Sequence, residues 1–551
     1  MLEDFDFNSI QDLQQARECI VMLLNLVENL KAENRELREQ VQRLRDANNR
    51  LKGEQGQPVI KPNKRRQTSS NHSSEQERHK PKQWQKSRKK ERISIDRVEV
   101  LAVEPARLPE DAEFKGYEEV VVQDIDIRTN NTLFRKEKYY SPAASKTYLA
   151  HLPRGYEGQF GPGIKALSIV LYFGGNMTEP KILEFFHDVG IQVSAGQLSN
   201  FLIKNQVAFH LEKDAVYEAG LRSSPWQHID DTGMRVNGQN QHCQIVCNPL
   251  YTAYFTTEKK NRLTVIDVLR NSAERIFRLN EETWSLLAIF RLPAKVVRRL
   301  ASFPQDCDLS EAAFLHLLEE HLPDLGPLQR RRVLDAAAVA AYHAQLEFPI
   351  VRLVICDDAP QFKLVTEELA LCWVHDGRHY KKLDPCVAYH CELLTTFLKR
   401  YWAFYDQLLA YREHPTPADQ ARLESEFDEL FATVTGYEAL DERIAKTQAK
   451  KRWLLMVLEH PEIPLHNNPA ELGARKWVRK RKTSSGTRTE DGTKAHDTFM
   501  TLVATAKKLD VSFYEYIYDR VSRAYTMPCL ADLITKQAKQ LQLAASWHPP
   551  P

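Results

Sequence analysis

Leucine recurs every seventh residue at Leu23, Leu30, Leu37, Leu44 and Leu51, and this repeat leaves the opening of the chain few choices of fold. The companion seam position carries Ile20, Val27, Asn34, Val41 and Asn48, in a stretch rich in Glu, Arg and Gln and free of Gly and Pro up to Gly53. Such spacing keeps one helical stripe facing a partner, and β-branched a positions with leucine d positions favour a parallel two-stranded coiled coil. Asn34 and Asn48 would bury amides at the seam, which costs stability but fixes register and strand number. Residues 10–52 are therefore expected to form a self-associating zipper, the alternative being one amphipathic helix packed on its own chain.

Residues 53–94 read as a basic linker. From Lys61 to Arg92 there are twelve Lys or Arg against three Glu. So little apolar surface cannot order the tract, whereas its charge suits a phosphate backbone without reading sequence. Lys64, Arg65, Arg66, Lys86, Arg88, Lys89 and Lys90 are candidate DNA contacts; a solvated linker is the plainer reading, and the two are compatible. The whole chain of 551 residues hides this asymmetry, since 76 Lys and Arg oppose 74 Asp and Glu. Nine scattered cysteines with no CxxC do not make a disulfide scaffold, which favours a reducing compartment. No basic and apolar leader opens the chain, and no run of about 18 uncharged apolar residues occurs, so neither a secretory signal nor a membrane span is expected.

Between 95 and 160 the segments RVEVLAVE, EEVVVQDIDIR and TLFRKEKYYS alternate and predict a small antiparallel β unit. Residues 161–215 turn helical. Thr178 and Ser194 are N-cap candidates for two short helices separated by Gly190, with Leu198, Phe201 and Leu202 on one face of the second. That pattern fits a helix-turn-helix DNA reader, or an ordinary helical pair in a scaffold.

PWQHIDDTGMRV, HCQIVCN and TAYFTTEK then predict neighbouring strands, with a hairpin turn at Gly238–Asn240. Asp230 and Asp231 sit inside the first, where carboxylates are costly unless they face a cleft or a cation. FPIVRLVICDDAPQF is a second apolar strand that ends on Asp357 and Asp358. In HNNPAELGARKWVRKRK, Asn468 is a cap candidate, Pro469 a first helical residue, and Glu471 falls in the first turns with Arg475 four residues on. Hard oxygen ligands of this kind suit Mg²⁺, and two such ions can orient a nucleophile and stabilise a leaving oxygen at phosphorus. Three carboxylates among 74 acidic residues do not by themselves identify a site.

The order of motifs does more. HIDDTGMRV, VICDDAPQF, LCWVHDGRHYKKL, HNNPAELGARKWVRKRKTSSGT and the closing HDTFMTLVATAKKLDVSFYEYIYDRV, over residues 95–540, resemble the large transposase of a bacterial insertion-sequence family, one of the DDE transposases. The resemblance implies an α/β fold: an RNase H-like mixed sheet with flanking helices, spanning 216–500, followed by C-terminal helices and a tail at 501–551. It implies Asp230, Asp357 and Glu471 as catalytic and metal-binding acids, with Asp231 and Asp358 as neighbours or register alternatives. It also implies Mg²⁺, in a pair of ions and replaceable by Mn²⁺, and an activity of DNA strand cleavage and 3′-end joining.

The implied partners are double-stranded DNA at element ends and target, a second copy of the chain, and helper proteins encoded by the element; the implied place is the bacterial cytoplasm, at the nucleoid. His375, Arg378, Arg475, Lys476, Arg479, Lys480, Arg481 and Lys482 become candidate DNA contacts, with Trp373 expected in the core. The family usually carries a zinc unit after the coiled coil; residues 60–160 hold no cysteine, so no zinc is expected. The family also has Arg where Gly377 stands. The spacing of 127 from Asp230 to Asp357 suggests a helical insertion at about 271–346, and a second is expected at 384–460, looping out from the sheet edge toward DNA, a second subunit or nothing at all. His242, Cys243 and Cys247, like Cys386 and Cys391, lack zinc-finger spacing and are expected as small buried hydrophobes. The competing function is a catalytically inactive, transposase-derived DNA-binding or assembly protein; a purely structural coiled-coil protein is disfavoured by the long α/β remainder.

Overall fold

A computed structural model of the chain describes residues 12–51, 93–104, 107–109, 112–156 and 158–547. The leading helix runs from Leu13 to Leu51. β1 (Lys138–Ser141) and β2 (Lys146–Leu149) form an isolated hairpin. The main sheet begins with β3 (Trp226–Val236), β4 (Gln239–Cys247) and β5 (Thr252–Thr257), an antiparallel meander. β6 (Ile276–Phe277) pairs with β7 (Leu309–Ser310) inside the following helical region. β8 (Leu353–Cys356) then lies parallel to β3, and β9 (Glu368–Leu371) parallel to β8, giving the order β5-β4-β3-β8-β9.

Local chemistry explains these choices. The β3–β4 turn is Asn237–Gly238, both at positive φ (48° and 79°), the geometry that a two-residue hairpin turn requires. β8 reads Leu-Val-Ile-Cys and is buried throughout, as expected for a parallel strand covered on both faces. β5 is an edge, and its free N–H groups are not left bare. Helix Glu490–Lys508 offers Asp497, Thr501 and Thr505, one turn apart, to the N–H groups of Thr256 (2.7 Å), Tyr254 (3.1 Å) and Thr252 (3.3 Å). Side chains thus replace a sixth strand, which blunts an edge that would otherwise pair with another chain. This helix also crosses the boundary expected at residue 500, so the closing helices are part of the core.

The β unit expected across 95–160 is reduced to β1–β2. Val98, Val100, Val120, Val122 and Ile125 alternate as anticipated but remain exposed and unpaired. Alternation favours a strand only where another element covers its apolar side and fixes its register. The paired helices do form, at Glu179–Asp188 and Ala195–Ile203, with Gly190 between them at φ +83°. Ser194 accepts the N–H of Gln197, whereas Thr178 makes no side-chain cap.

The helical regions do not loop out. One hydrophobic core runs from Ala166 to Ile534 and includes both. Within the first, helix Pro327–Ala344 is buried along Ala336–Tyr342 and belongs to that core, tied by Asp335 to Arg262 at 2.6 Å. The second closes around Trp373, whose ring meets Tyr401, Phe404, Tyr405, Phe427 and Phe431. Its indole N–H donates to the Leu454 carbonyl at 2.8 Å. The same packing explains Gly377. A Cβ there would lie 2.7 Å from the Trp402 ring, so the arginine usual in the family has no room. Gly377→Arg is expected to destabilise the chain by about 2 kcal/mol or more through overpacking, read as a lowered midpoint in urea; an unchanged midpoint would show that the aromatic cluster yields.

Candidate active site

Strand register brings the two aspartates together. Trp226, Gln227 and His228 lie level with Leu353, Val354 and Ile355. Continuing two residues puts Asp230, inside β3, level with Asp357, the first residue past the carboxyl end of β8, where sites of parallel sheets commonly form. Asp230 also pairs with Ile245 of β4, so the two side chains share a face. Helix Asn468–Ser484 packs on that face: a Cβ on Gly473 would lie 2.9 Å from Ile245, so glycine permits the close approach that brings Glu471 toward the aspartates.

Asn467 fixes the start of this helix. Its Nδ2 donates to the Ile229 carbonyl at 2.7 Å, next to Asp230, and its Oδ1 meets His228 Nδ1 at 2.9 Å. Its N–H reaches Cys372 Sγ at 3.2 Å, just beyond β9. The helix begins at Asn468, with Asn467 in the cap position that the sequence suggested for Asn468. Asn467 makes no side-chain cap because its amide is used across the sheet instead. Burial, with His466 nearby, pushes the His228 imidazole down to about 3, so it is neutral at physiological pH.

Each acidic pair divides its roles. Asp231 accepts from Gln361 Nε2 at 2.9 Å and from Lys260 Nζ at 3.2 Å. Asp358 pairs with Lys363 at 2.8 Å and Lys450 at 2.6 Å. Among the described residues no lysine or arginine pairs with Asp230 or Asp357. Asp230 Oδ1 accepts only the N–H of Asp231, and Asp357 Oδ1 that of Ala359. Burial pushes the Asp230 carboxyl up to about 7, with the charges of Asp357, Asp231 and Glu471 adding to the shift.

Glu471 is held differently. Both of its oxygens take a guanidinium N–H of Arg378, each at 3.0 Å, a bidentate pair across two helices. Arg475, four residues on, is exposed and is not the partner of Glu471. The three carboxylates have not closed to within 4.8 Å of one another. Among the described residues that spacing is met by Glu368, Glu459 and His460, at the opposite end of β9. There His460 is already held by Glu368 at 3.0 Å and Ser546 at 2.6 Å. Asp230, Asp357 and Glu471 all offer hard oxygen, and the two aspartates without a basic partner among the described residues are where a divalent cation would relieve charge.

Residues 353–495, which contain Asp357, His375, Arg378 and Glu471, match the model of the Transposase IS66 family. The chain is also 34% identical over 306 residues to the uncharacterized protein y4jO of Sinorhizobium fredii, an alignment that covers 55% of this chain and 94% of that protein. The chain carries an IS66 transposase family domain. The family match begins after Asp230 and does not include β3.

The basic cluster on the IS66 helix Asn468–Ser484 splits by periodicity. Arg475, Arg479 and Lys482 are exposed, and Lys476 and Arg481 half-buried, with the Arg481 guanidinium on the Gly233 carbonyl. Lys480 does not join this surface. It shares the inner face with Gly473, Ala474 and Trp477, is fully buried, and caps the Tyr172 carbonyl with its Nζ over that ring. Burial pushes Lys480 down to about 7, and burial with Lys507 and Lys508 pushes Lys476 down to about 8. His375 is half-buried on the helix Trp373–Lys381 that carries Arg378. The seven expected contacts from Lys64 to Lys90 lie outside the described residues. Cys243 and Cys247 are buried in β4; Cys386 and Cys391 are exposed instead.

Among the described residues no helix is long and apolar enough to cross a membrane. Sequence reasoning missed the latch formed by His228 and Asn467, although HID and HNN adjoin the acids in the sequence. It also missed the lysines that single out one member of each acidic pair.

The Asp230 shift has a consequence for stability. The unfolded chain releases this proton near 3.8 and the folded chain only near 7. Folding therefore loses stability as pH rises from about 4 to about 7. Without divalent cation, Asp230→Asn is expected to raise stability at pH 8 by about 1–3 kcal/mol and to change little at pH 4. Thermal unfolding at the two pH values checks this; a variant less stable at pH 8 would show that the carboxylate is satisfied in the native chain.

Proposed function

We propose that this chain is an IS66-family DDE transposase that binds element ends, cleaves DNA with divalent cations and joins 3′ ends to target DNA. The carrying observation is the pair Asp230 and Asp357, level on neighbouring strands and free of basic partners among the described residues, in one field with Glu471. The sheet order β5-β4-β3-β8-β9, with a third acid supplied by a helix, supports the RNase H-like reading.

Asp230, Asp357 and Glu471 would hold the cations, Mg²⁺ or Mn²⁺. When bound, such a pair activates a water or 3′-hydroxyl and stabilises the leaving oxygen. Asn467 holds the glutamate helix against β3. Arg378 keeps Glu471 neutralised and aimed until a cation competes for it. The exposed Arg475, Arg479 and Lys482 offer charge to the DNA backbone beside the acids. The helix pair around Gly190 is a candidate reader of element ends, and the leading helix a candidate dimerisation arm.

Incubation with element-end DNA and Mg²⁺ or Mn²⁺ tests the reading. Strand cleavage is expected from the native chain and a loss of at least about 10²–10³-fold from Asp230→Ala, Asp357→Ala or Glu471→Ala. Cleavage retained by all three variants would overturn the assignment. Binding without any cleavage by the native chain would favour an inactive DNA-binding or assembly protein.

A further inference from the structure

The leading helix presents two different faces. Its heptad seam, from Ile20 to Leu44, stays open, with exposures from 38% at Leu23 to 69% at Leu44. Its outer face is engaged with the same chain. Val21, Asn25, Glu28 and Arg35 lie four, three and seven residues apart, a single stripe on the helix. Val21 lies against Gly436, 3.3 Å from where a Cβ there would stand. Asn25 donates to the Gly436 carbonyl at 2.8 Å and accepts the Glu438 N–H at 3.1 Å. Arg35 pairs with Asp384 at 3.0 Å.

Glu28 is the centre of this contact. It is only 5% exposed, and a carboxylate is costly to bury unless donors meet it. Here they do. The N–H groups of Cys386 and Val387, at the start of helix Ala388–Glu413, donate to its two oxygens at 2.6 and 2.9 Å. His390 Nδ1 stands 3.3 Å away, stacked on Tyr437. Two backbone donors at a helix N-terminus and an imidazole form a seat matched to this acid.

We propose that residues 384–438 are a receiving surface for the leading helix, and that a second copy of the chain pairs along the open seam while the helix stays seated. Seating uses b and f positions of the heptad and pairing uses a and d, so neither excludes the other. The second helical region then sets where each catalytic domain stands on a shared zipper. The pairing half rests on the zipper reading given above; the seat does not.

Hydrogen exchange of the full chain, with its mass measured by light scattering, tests both halves. Glu28→Ala is expected to speed exchange at the Cys386 and Val387 amides about tenfold or more while the mass stays that of a dimer. Asn25→Ala should do the same at the Glu438 amide. Leu30→Lys with Leu37→Lys should yield a monomer whose 386–387 amides remain protected. Unchanged exchange in both Glu28→Ala and Asn25→Ala would overturn the seat, as would equal loss of protection in the seam variant. A monomeric native chain would overturn the pairing half alone.

Discussion

Two carboxylates brought level on neighbouring parallel strands repel each other, and much of the surrounding structure holds them there. Continuing the β3–β8 register leaves Asp230 and Asp357 side by side. Their sequence neighbours take the lysines: Lys260 on Asp231, and Lys363 and Lys450 on Asp358. The remaining repulsion, added to burial, is expressed in the raised Asp230 carboxyl. A site that stores unfavourable charge in this way is suited to binding cations.

The third acid depends on a separate set of contacts. Gly473 lets its helix approach the sheet, Asn467 ties the helix start to β3 and to Cys372, and Arg378 holds the glutamate. Arg378 and Trp373 share one helix, and Trp373 is packed by the aromatics of the second helical region. That region therefore supports the glutamate's partner on one side and seats the leading helix on the other. The proposed acidic site and the leading helix are thus connected through one hydrophobic body.

Strong periodicities made much of this legible in the sequence. The heptad stretch forms one continuous helix and the apolar run before Asp357 a buried strand, each for a local physical reason, while the hairpin expected at Gly238–Asn240 turns one residue earlier, at Asn237–Gly238. What was not legible depended on packing partners. Val98 and Val120 alternate like strand residues, yet nothing among the described elements covers them. Lys480 looked like one more charge in a basic run, but helical phase turns it inward with Trp477. Asn467 stands just before the expected cap at Asn468, and its role depends on His228 and Ile229, more than 200 positions earlier. The pairing of Lys450 with Asp358, which sets it apart from Asp357, depends on a residue about 90 positions away and is not revealed by any spacing in the sequence.

The division of labour within each acidic pair is the central claim, and Mn²⁺ binding read by electron paramagnetic resonance tests it most directly. The native chain should bind the ion, Asp357→Asn should lose it, and Asp358→Asn should retain it. Retention by Asp357→Asn together with loss in Asp358→Asn would contradict the account.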